Sequence, residues 1–196
     1  MFADAFGEFG RDSVKVTKAL AQFLRTMISA ESKYDVMYKY QNGLSLTASE
    51  NQIYQSITIE EWAGYDLFLS LNGADCLHCH NGPLMQVQLY SNNGLDDVFT
   101  DPGRMGVTGN SIDEGRFKVP TLRNIAASAP YMHDGRFETL EEVLQQYEKG
   151  GHGVINEDPN ILPFKLSDRD KKDLIAFLNM LSDPSFINNK DFSNPF

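Results

Sequence analysis

The sequence has few cysteines, a single tryptophan and fewer basic than acidic residues. Its 196 residues include 2 cysteines and 1 tryptophan, and 17 lysines and arginines face 27 aspartates and glutamates, for a formal net charge of −10. This charge repels phosphate backbones and anionic lipid surfaces, which argues against a nucleic-acid partner. No stretch approaches the ~20 apolar residues that cross a bilayer, and Met1–Asp4 lacks the basic start and apolar run of a signal peptide.

Both cysteines lie in one pentapeptide, Cys76-Leu77-His78-Cys79-His80. The pattern C-x-x-C-H is the attachment motif of c-type haem. Thiols at i and i+3 on one helical turn can add to the two vinyl groups of a single porphyrin, and the adjacent imidazole then reaches the iron. The sequence therefore predicts one haem c, with Cys76 and Cys79 as its covalent attachment residues and His80 as an axial ligand of the iron.

Two other kinds of site use closely spaced cysteines. A thioredoxin-like redox dithiol follows a strand and opens a helix, but this sequence shows no βαβ pattern. A zinc site needs four ligands around a tetrahedron, which residues 76–80 cannot supply alone, and the sequence has no second Cys/His pair. We therefore favour haem over both alternatives.

Helical patterns dominate the rest of the sequence. From Ser13, apolar residues recur at three- and four-residue spacing, which predicts a helix with one buried stripe; its members are Val16, Leu20, Phe23, Leu24, Met27 and Ile28. Capping boxes predict three more helices. They begin at Thr58/Glu61, Thr139/Glu142 and Ser167/Asp170 and should end at Asn72-Gly73, Gly150-Gly151 and Asp183-Pro184. Trp62 is expected to pack within the first of these rather than to relay electrons.

Residues 81–130 are rich in Gly, Asn, Asp and Pro, which predicts long loops packed around something other than side chains. A porphyrin would supply that core. The chain is 41% hydrophobic and long enough for one sizeable core. We therefore predict an all-α, cytochrome c-like haem domain with long loops around a covalently attached haem.

An internal similarity bears on the domain organisation. The segment 18–27 aligns without gaps on 172–181, at an offset of 172 − 18 = 154 residues, and Lys, Leu, Phe and Leu coincide. Amphipathic helices share such patterns, so the match alone leaves two explanations open. If both segments are closing helices of cytochrome domains, residues 1–45 are the closing helix and linker of a mostly absent preceding haem domain, and residues 46–196 form the C-terminal haem domain.

Further motifs extend the pentapeptide into a family pattern over about residues 13–182. They are Cys79-His80-Asn81-Gly82-Pro83-Leu84, Asn93-Gly94-Leu95, Asp101-Pro102-Gly103-Arg104, Val107-Thr108-Gly109, Gly115 to Asn124 and Ala129 to Phe137. In this order the chain closely resembles the C-terminal haem domain of the bacterial dihaem cytochrome c peroxidase family, which includes the enzyme that matures the tryptophan-derived cofactor of methylamine dehydrogenase.

The resemblance implies an oxidoreductase with two haems. In that family a first domain carries a second C-x-x-C-H and the haem at which peroxide reacts, and the second domain receives electrons from a small cytochrome or cupredoxin or from a protein substrate. The backbone carbonyls of Ser128 and Pro130 match positions that bind calcium, with a further ligand from the first domain; a purely structural loop is the alternative. Homodimers occur in the family.

The second axial ligand has two candidates. Simple c-type cytochromes use a methionine from a downstream loop, which favours Met132, with Met85 and Met105 as weaker choices. In the resembling family the ligand, Met or Tyr, follows the His of the Tyr-x-His-Asp-Gly motif by 14 residues; from His133, 133 + 14 gives Tyr147. A core tyrosine with a bonded hydroxyl is the plain alternative for Tyr147. We expect Tyr147 as the ligand, with Met132 as the alternative.

The leading hypothesis is the electron-transfer haem domain of a dihaem peroxidase-type enzyme that reduces hydrogen peroxide. One alternative is a free-standing monohaem electron carrier without catalysis, and another is a structural or sensory haem domain. Because haem c is attached outside the bacterial cytoplasm, we expect a periplasmic protein whose signal was removed or whose sequence begins inside a longer protein. Arg104, Arg116, Lys118 and Arg123 are candidate partners of the haem propionates.

Overall fold

The computed structural model describes residues 2–7 and 12–193. Residues 1 and 8–11 of the predicted segment 1–45, and residues 194–196 of the predicted domain 46–196, lie outside the described residues. The helices are α1 (Phe2–Phe6), α2 (Ser13–Thr26), α3 (Lys33–Gln41), α4 (Ala48–Gln55), α5 (Ile59–Leu69), α6 (Met105–Thr108), α7 (Leu140–Lys149), α8 (Asp168–Met180) and α9 (Pro184–Ile187). Two short strands, β1 (Tyr90–Ser91) and β2 (Phe117–Lys118), pair antiparallel. The predicted all-α class is confirmed. Within the described ranges, no helix is both long and apolar enough to span a membrane.

Capping boxes start most of the long helices. Those predicted at Thr58, Thr139 and Ser167 form at the starts of α5, α7 and α8, where each hydroxyl accepts the N3 amide and the N3 carboxylate accepts the cap amide. Two others open α3, at Ser32, and α4, at Thr47. These helices were missed because their apolar periodicity is weak, although Ser32/Asp35 and Thr47/Glu50 carry the same local signal.

Two predicted helix ends shift. Helix α5 stops at Leu69 rather than at Asn72-Gly73, because the chain folds back and the Ala74 amide donates to the Leu67 carbonyl at 3.0 Å. A Cβ at Gly73 would lie 2.5 Å from that carbonyl oxygen, so the return requires glycine. Asp183-Pro184 does not close α8 directly; α8 ends at Met180 and Asp183 caps α9.

The core forms where α5 crosses α8. Phe68 from α5 and Leu174 and Phe177 from α8 are at most 1% exposed. A Cβ at Gly64 would lie 1.9 Å from the Asp173 carbonyl oxygen, so only glycine allows the two backbones to approach this closely. This crossing holds the segment that follows α5, which contains both cysteines.

The predicted apolar stripe of α2 forms, but the described part of the chain does not bury it. Leu20 is 58% exposed, Phe23 45%, Leu24 63% and Ile28 71%, and no residue of α2 is buried. Periodicity predicts that a helix has an apolar face, but it does not identify what covers that face. Within the described part of the chain, this face lies largely open.

The predicted long loops occupy residues 81–130, interrupted only by short helical turns and the β1–β2 pair. A buried ion pair ties them to α3: the Arg123 guanidinium contacts both carboxylate oxygens of Asp35 at 2.9 and 2.6 Å and also donates to the Pro83 carbonyl. The Arg123 side chain is only 7% exposed. Arg123 is therefore a structural cross-link, and its pairing with a propionate stays a prediction.

Candidate functional site

The two cysteines lie on one tight helical turn, Cys76–His78, which follows Asp75 in a left-handed conformation. The His80 amide donates to the Cys76 carbonyl at 2.9 Å, so the turn continues through the pentapeptide. Both thiols are free. Burial raises the pKa of Cys76 to about 12 and also raises the pKa of Cys79. A redox dithiol needs a thiol with a lowered pKa, so these protonated thiols do not fit that chemistry.

His80 has one ring nitrogen already engaged. Its Nδ1 lies 3.1 Å from the Pro120 carbonyl oxygen and 3.4 Å from that of Met85. Because a carbonyl can only accept, Nδ1 carries the proton and Nε2 is left as the metal-binding nitrogen. Burial lowers the pKa of His80, which favours the neutral imidazole that a metal requires. The loop at Pro120 thus orients the ring for ligation.

Both candidates for the second axial ligand meet at one amide. The Asn93 side-chain nitrogen lies 3.3 Å from the Tyr147 hydroxyl and 3.6 Å from the Met132 sulfur. Burial raises the pKa of Tyr147, while the hydrogen bond from Asn93 lowers it and the two cysteine thiols raise it electrostatically. Tyr147, Met132 and the thiols therefore share one region, and the choice between the two ligands stays a prediction.

Asn93 belongs to the Asn93-Gly94-Leu95 motif, but the sequence assigns no role to its side chain. Its position depends on Gly94, which has a φ of 67° and whose Cβ would lie 2.4 Å from Gly151 and 2.9 Å from Glu157. Glycine therefore lets the 92–94 turn press against the loop that follows α7, the helix bearing Tyr147. An Asn-Gly pair predicts a turn, but not the tertiary contact made by the amide.

The other methionines lie elsewhere. Met85 is 1% exposed, and its backbone carbonyl lies next to His80 Nδ1. With His80 it lines a cavity of about 310 Å³ between α3, α5 and the pentapeptide. Met105 begins α6. Among the described residues neither has a hydrogen bond to Asn93, and all four candidates for the second ligand stay predictions.

The basic candidates for propionate binding differ in their contacts. Arg104 stacks over the Tyr90 ring at 4.2 Å and pairs with Asp113, while Lys118 donates to Gln86. Arg116 keeps a buried Nε without a partner, and its nearest ion-pair contact is Asp113 at 3.9 Å. The Nε of Arg123 is likewise buried without a partner, but its two terminal nitrogens are held by Asp35. Arg116 is therefore better placed than Arg123 for an additional anionic partner.

Ser128 and Pro130 lie in an exposed loop on either side of Ala129, and the Ala129-Pro130 peptide bond is cis. Calcium binding by their carbonyls stays a prediction. Over residues 2–7 and 12–193, no group of three or more His, Cys, Asp or Glu side chains is arranged to hold a metal ion. Cys76 and Cys79 offer two protonated thiols for attachment to a porphyrin, and His80 offers a neutral, oriented imidazole for its iron. Together they fit a c-type haem.

No family model matches the chain. It is 39% identical over 144 residues to the cytochrome c551 peroxidase of Nitrosomonas europaea, a match that covers 70% of this chain and 39% of the relative. It is 32% identical over 194 residues to the methylamine utilization protein MauG of Methylorubrum extorquens, covering 92% of this chain and 48% of that protein. The chain thus spans about half, or less, of the length of these relatives.

Two solved structures share the fold. A MauG-like protein associated with microbial copper homeostasis superposes with a TM-score of 0.79 at 30% identity, covering 98% of this chain and 64% of that one. The diheme peroxidase BthA from Burkholderia thailandensis superposes with a TM-score of 0.58 at 20% identity, covering 80% of this chain and 47% of that one. The first of these superpositions confirms the predicted all-α, cytochrome c-like fold.

Proposed function

Because the chain belongs to the dihaem cytochrome c peroxidase and MauG family, we propose that it is the C-terminal, electron-transferring haem domain of a dihaem peroxidase-type oxidoreductase. It carries one haem c and passes electrons to a second haem, in a preceding domain, at which hydrogen peroxide is reduced. The observation that carries this proposal is that Cys76, Cys79 and His80 lie on one turn, with His80 Nδ1 held by the Pro120 carbonyl.

The residues of this chain have distinct roles in the proposal. Cys76 and Cys79 form the thioether links, and His80 binds the iron through Nε2 while the Pro120 carbonyl fixes the ring. When bound, the haem supplies one-electron chemistry. Arg116, whose buried Nε has no partner among the described residues, would donate to a propionate of the haem.

Tyr147 is the proposed second axial ligand, with Met132 as the alternative. A phenolic oxygen is a hard ligand and favours higher oxidation states of iron, whereas a thioether is soft and favours the ferrous state. Asn93 contacts both side chains and helps to hold the ligand in place. With Tyr147 the domain stores oxidising equivalents; with Met132 it is a plain electron relay.

The open face of α2 supports the proposed domain organisation. Leu20, Phe23 and Leu24 are 45–63% exposed, whereas Leu174, Phe177 and Leu178, their counterparts at the 154-residue offset, are at most 7% exposed. The chain covers 48% of the MauG relative, so a further half is expected. We assign residues 1–45 to the end of that missing haem domain and its linker, and residues 46–196 to the C-terminal domain.

The remaining assignments concern the whole protein. We propose a small soluble cytochrome or cupredoxin, or a protein substrate, as the electron donor, and a periplasmic location, because haem c is attached outside the bacterial cytoplasm. Calcium at the carbonyls of Ser128 and Pro130, completed by the preceding domain, and a homodimer are further parts of the proposal.

The intact mass of the native protein, read together with its haem content, tests the proposal. A longer chain with two haems that consumes peroxide in the presence of a reduced cytochrome is the expected result. A mature monohaem chain without peroxidase activity would instead identify an electron carrier. In the chain of 196 residues, replacing Cys76 and Cys79 with alanine should abolish covalent haem attachment.

A further inference from the structure

Aromatic rings form a continuous row from the protein surface to the cavity beside His80. Consecutive ring centroids along Tyr40, Tyr54, Trp62, Tyr65 and Phe177 are 4.3, 6.1, 6.1 and 5.3 Å apart. We call the first four of these residues the aromatic row; Phe177, which is not readily oxidised, packs against its inner end. Phe177 also contacts Phe68 at 5.1 Å and Tyr34 at 6.1 Å. The row thus crosses α3, α4 and α5 without a gap, and α8 packs against its inner end.

The inner end of the row lies next to the proposed iron ligand. Tyr65, Tyr34 and Phe68 line the same cavity as His80. The Tyr34 hydroxyl donates to the Gly82 carbonyl at 2.9 Å, two residues beyond His80. The outer end is accessible, because Tyr40 is 54% exposed.

The composition of the row goes beyond what packing requires. Tyrosine and tryptophan are the side chains that most readily lose one electron, and packing alone would be served equally well by leucine or phenylalanine. The chain has 8 tyrosines and 1 tryptophan. Five of those tyrosines lie in the row or beside it, and the tryptophan lies at its centre; the five are Tyr34, Tyr38, Tyr40, Tyr54 and Tyr65.

We propose that the aromatic row carries single electrons between the haem at His80 and the protein surface at Tyr40, an inference that rests on the proposed function. Reduction of hydrogen peroxide to two water molecules consumes two electrons and two protons. Each electron moves inward along the row, so the radical that it leaves behind moves outward. At Tyr40 the oxidised side chain loses its phenolic proton to water and becomes a neutral tyrosyl radical. An external one-electron donor then restores Tyr40 by supplying an electron, and water returns the proton.

Hydrogen bonding determines which tyrosine of the row holds the radical. The hydroxyls of Tyr34 and Tyr65 donate to the Gly82 carbonyl and to the Gln41 amide oxygen, which are weak bases that do not accept the proton. Tyr40 faces water, which does. The surface around Tyr40 is therefore the point at which an electron donor contacts the domain.

The test uses the native haem-loaded protein treated with hydrogen peroxide in the absence of a donor. We expect a tyrosyl radical by electron paramagnetic resonance and oxidised Tyr40 by peptide mass spectrometry. Trp62→Phe and Tyr40→Phe keep the ring packing and should lower the yield of Tyr40 oxidation severalfold or abolish it, with an unchanged haem spectrum. Tyr90→Phe is the matched control: Tyr90 is 45% exposed but lies outside the row, beneath Arg104.

Two failures are distinguishable. If peroxide changes the haem spectrum while the radical yield in Trp62→Phe equals that of the wild type, the row carries no electrons and the inference is wrong. If peroxide leaves the haem spectrum unchanged, the proposed function fails. Flash photo-oxidation of the ferrous protein by a ruthenium polypyridyl complex then tests the row alone, and haem oxidation rates equal in Tyr40→Phe, Trp62→Phe and Tyr90→Phe would refute it.

Discussion

At the scale of single residues, the identity of the second iron ligand decides what the haem does. Tyr147 and Met132 both contact Asn93, so the two candidate ligands lie in the same region of the site. If Tyr147 is the ligand, Tyr147→Phe should change the absorption spectrum of the haem. It should also raise the reduction potential, because the hard oxygen that favours the oxidised state is lost. Met132→Leu should leave the spectrum as it is. Spectra with the reverse pattern would identify Met132 as the ligand.

Asn93 gives a second prediction at this scale. Replacing it with leucine removes the donor that contacts the Tyr147 hydroxyl at 3.3 Å and leaves that hydroxyl in a partly buried site without this hydrogen bond. We expect broader or mixed haem signals by electron paramagnetic resonance, because the ligand loses its positioning contact. Asn93→Asp and Asn93→Gln, which keep polar atoms at the site, distinguish this role from loss of packing. Identical signals in wild type and Asn93→Leu would contradict it.

The same residues show what can be predicted from sequence. Cys76, Cys79 and His80 lie within five consecutive residues, so their pattern alone predicts haem attachment. The contacts of Asn93 are not predictable in this way, since Tyr147 lies 54 residues further along the chain and the two meet only in the folded protein. The Pro120 carbonyl that orients His80 is 40 residues away and carries no side-chain signal.

At the scale of elements, one buried carboxylate joins the loop between α2 and α3 to the start of α9. Asp183 is 1% exposed and accepts the amides of Ala30, Glu31 and Phe186 and the hydroxyls of Ser29 and Ser185. Burial alone would raise the pKa of Asp183, but these hydrogen bonds outweigh it and hold the pKa at about 2, below the ordinary 3.8. The charged form is thus strongly preferred in the folded protein.

This linkage predicts a stability change in acid. Because the folded pKa lies below the unfolded one, the contribution of Asp183 is present above about pH 4 and is lost as the pH falls toward 2. This contribution to the free energy of unfolding is about 2 kcal/mol. Asp183→Asn should lower the free energy of unfolding by about this amount at pH 7 and flatten its pH dependence between 4 and 2. Asp97→Asn, at an exposed loop residue, is the control; equal pH profiles for all three proteins would contradict the prediction.

Helix starts were predictable where helix partners were not. The capping boxes at Thr58, Thr139 and Ser167 are local, so four residues of sequence suffice to predict them. The end of α5 at Leu69 depends on a return contact to the Leu67 carbonyl, which no local pattern encodes. The row formed by Trp62 and its neighbours likewise joins three helices, so the sequence supported only a packing role for Trp62.

At the scale of the whole molecule, α2 and α8 are related segments with opposite burial. Leu174 is fully buried, whereas Leu20, its counterpart at the 154-residue offset, is 58% exposed. In the chain of 196 residues, Leu174→Ala should therefore cost about 2–5 kcal/mol of unfolding free energy, and Leu20→Ala should change it by no more than about 0.5 kcal/mol. Denaturant titration monitored by circular dichroism measures both changes.

A longer native protein should reverse this contrast. If a preceding haem domain covers the α2 face, Leu20 becomes a core residue of that domain, and Leu20→Ala should then destabilise it by about as much as Leu174→Ala destabilises the C-terminal domain. Val107→Ala, at a position 91% exposed in a short loop helix, controls for general effects of surface truncation. A Leu20→Ala effect that stays small in the two-haem protein would mean that the α2 face is not covered by the preceding domain, and the boundary near residue 45 would then be wrong.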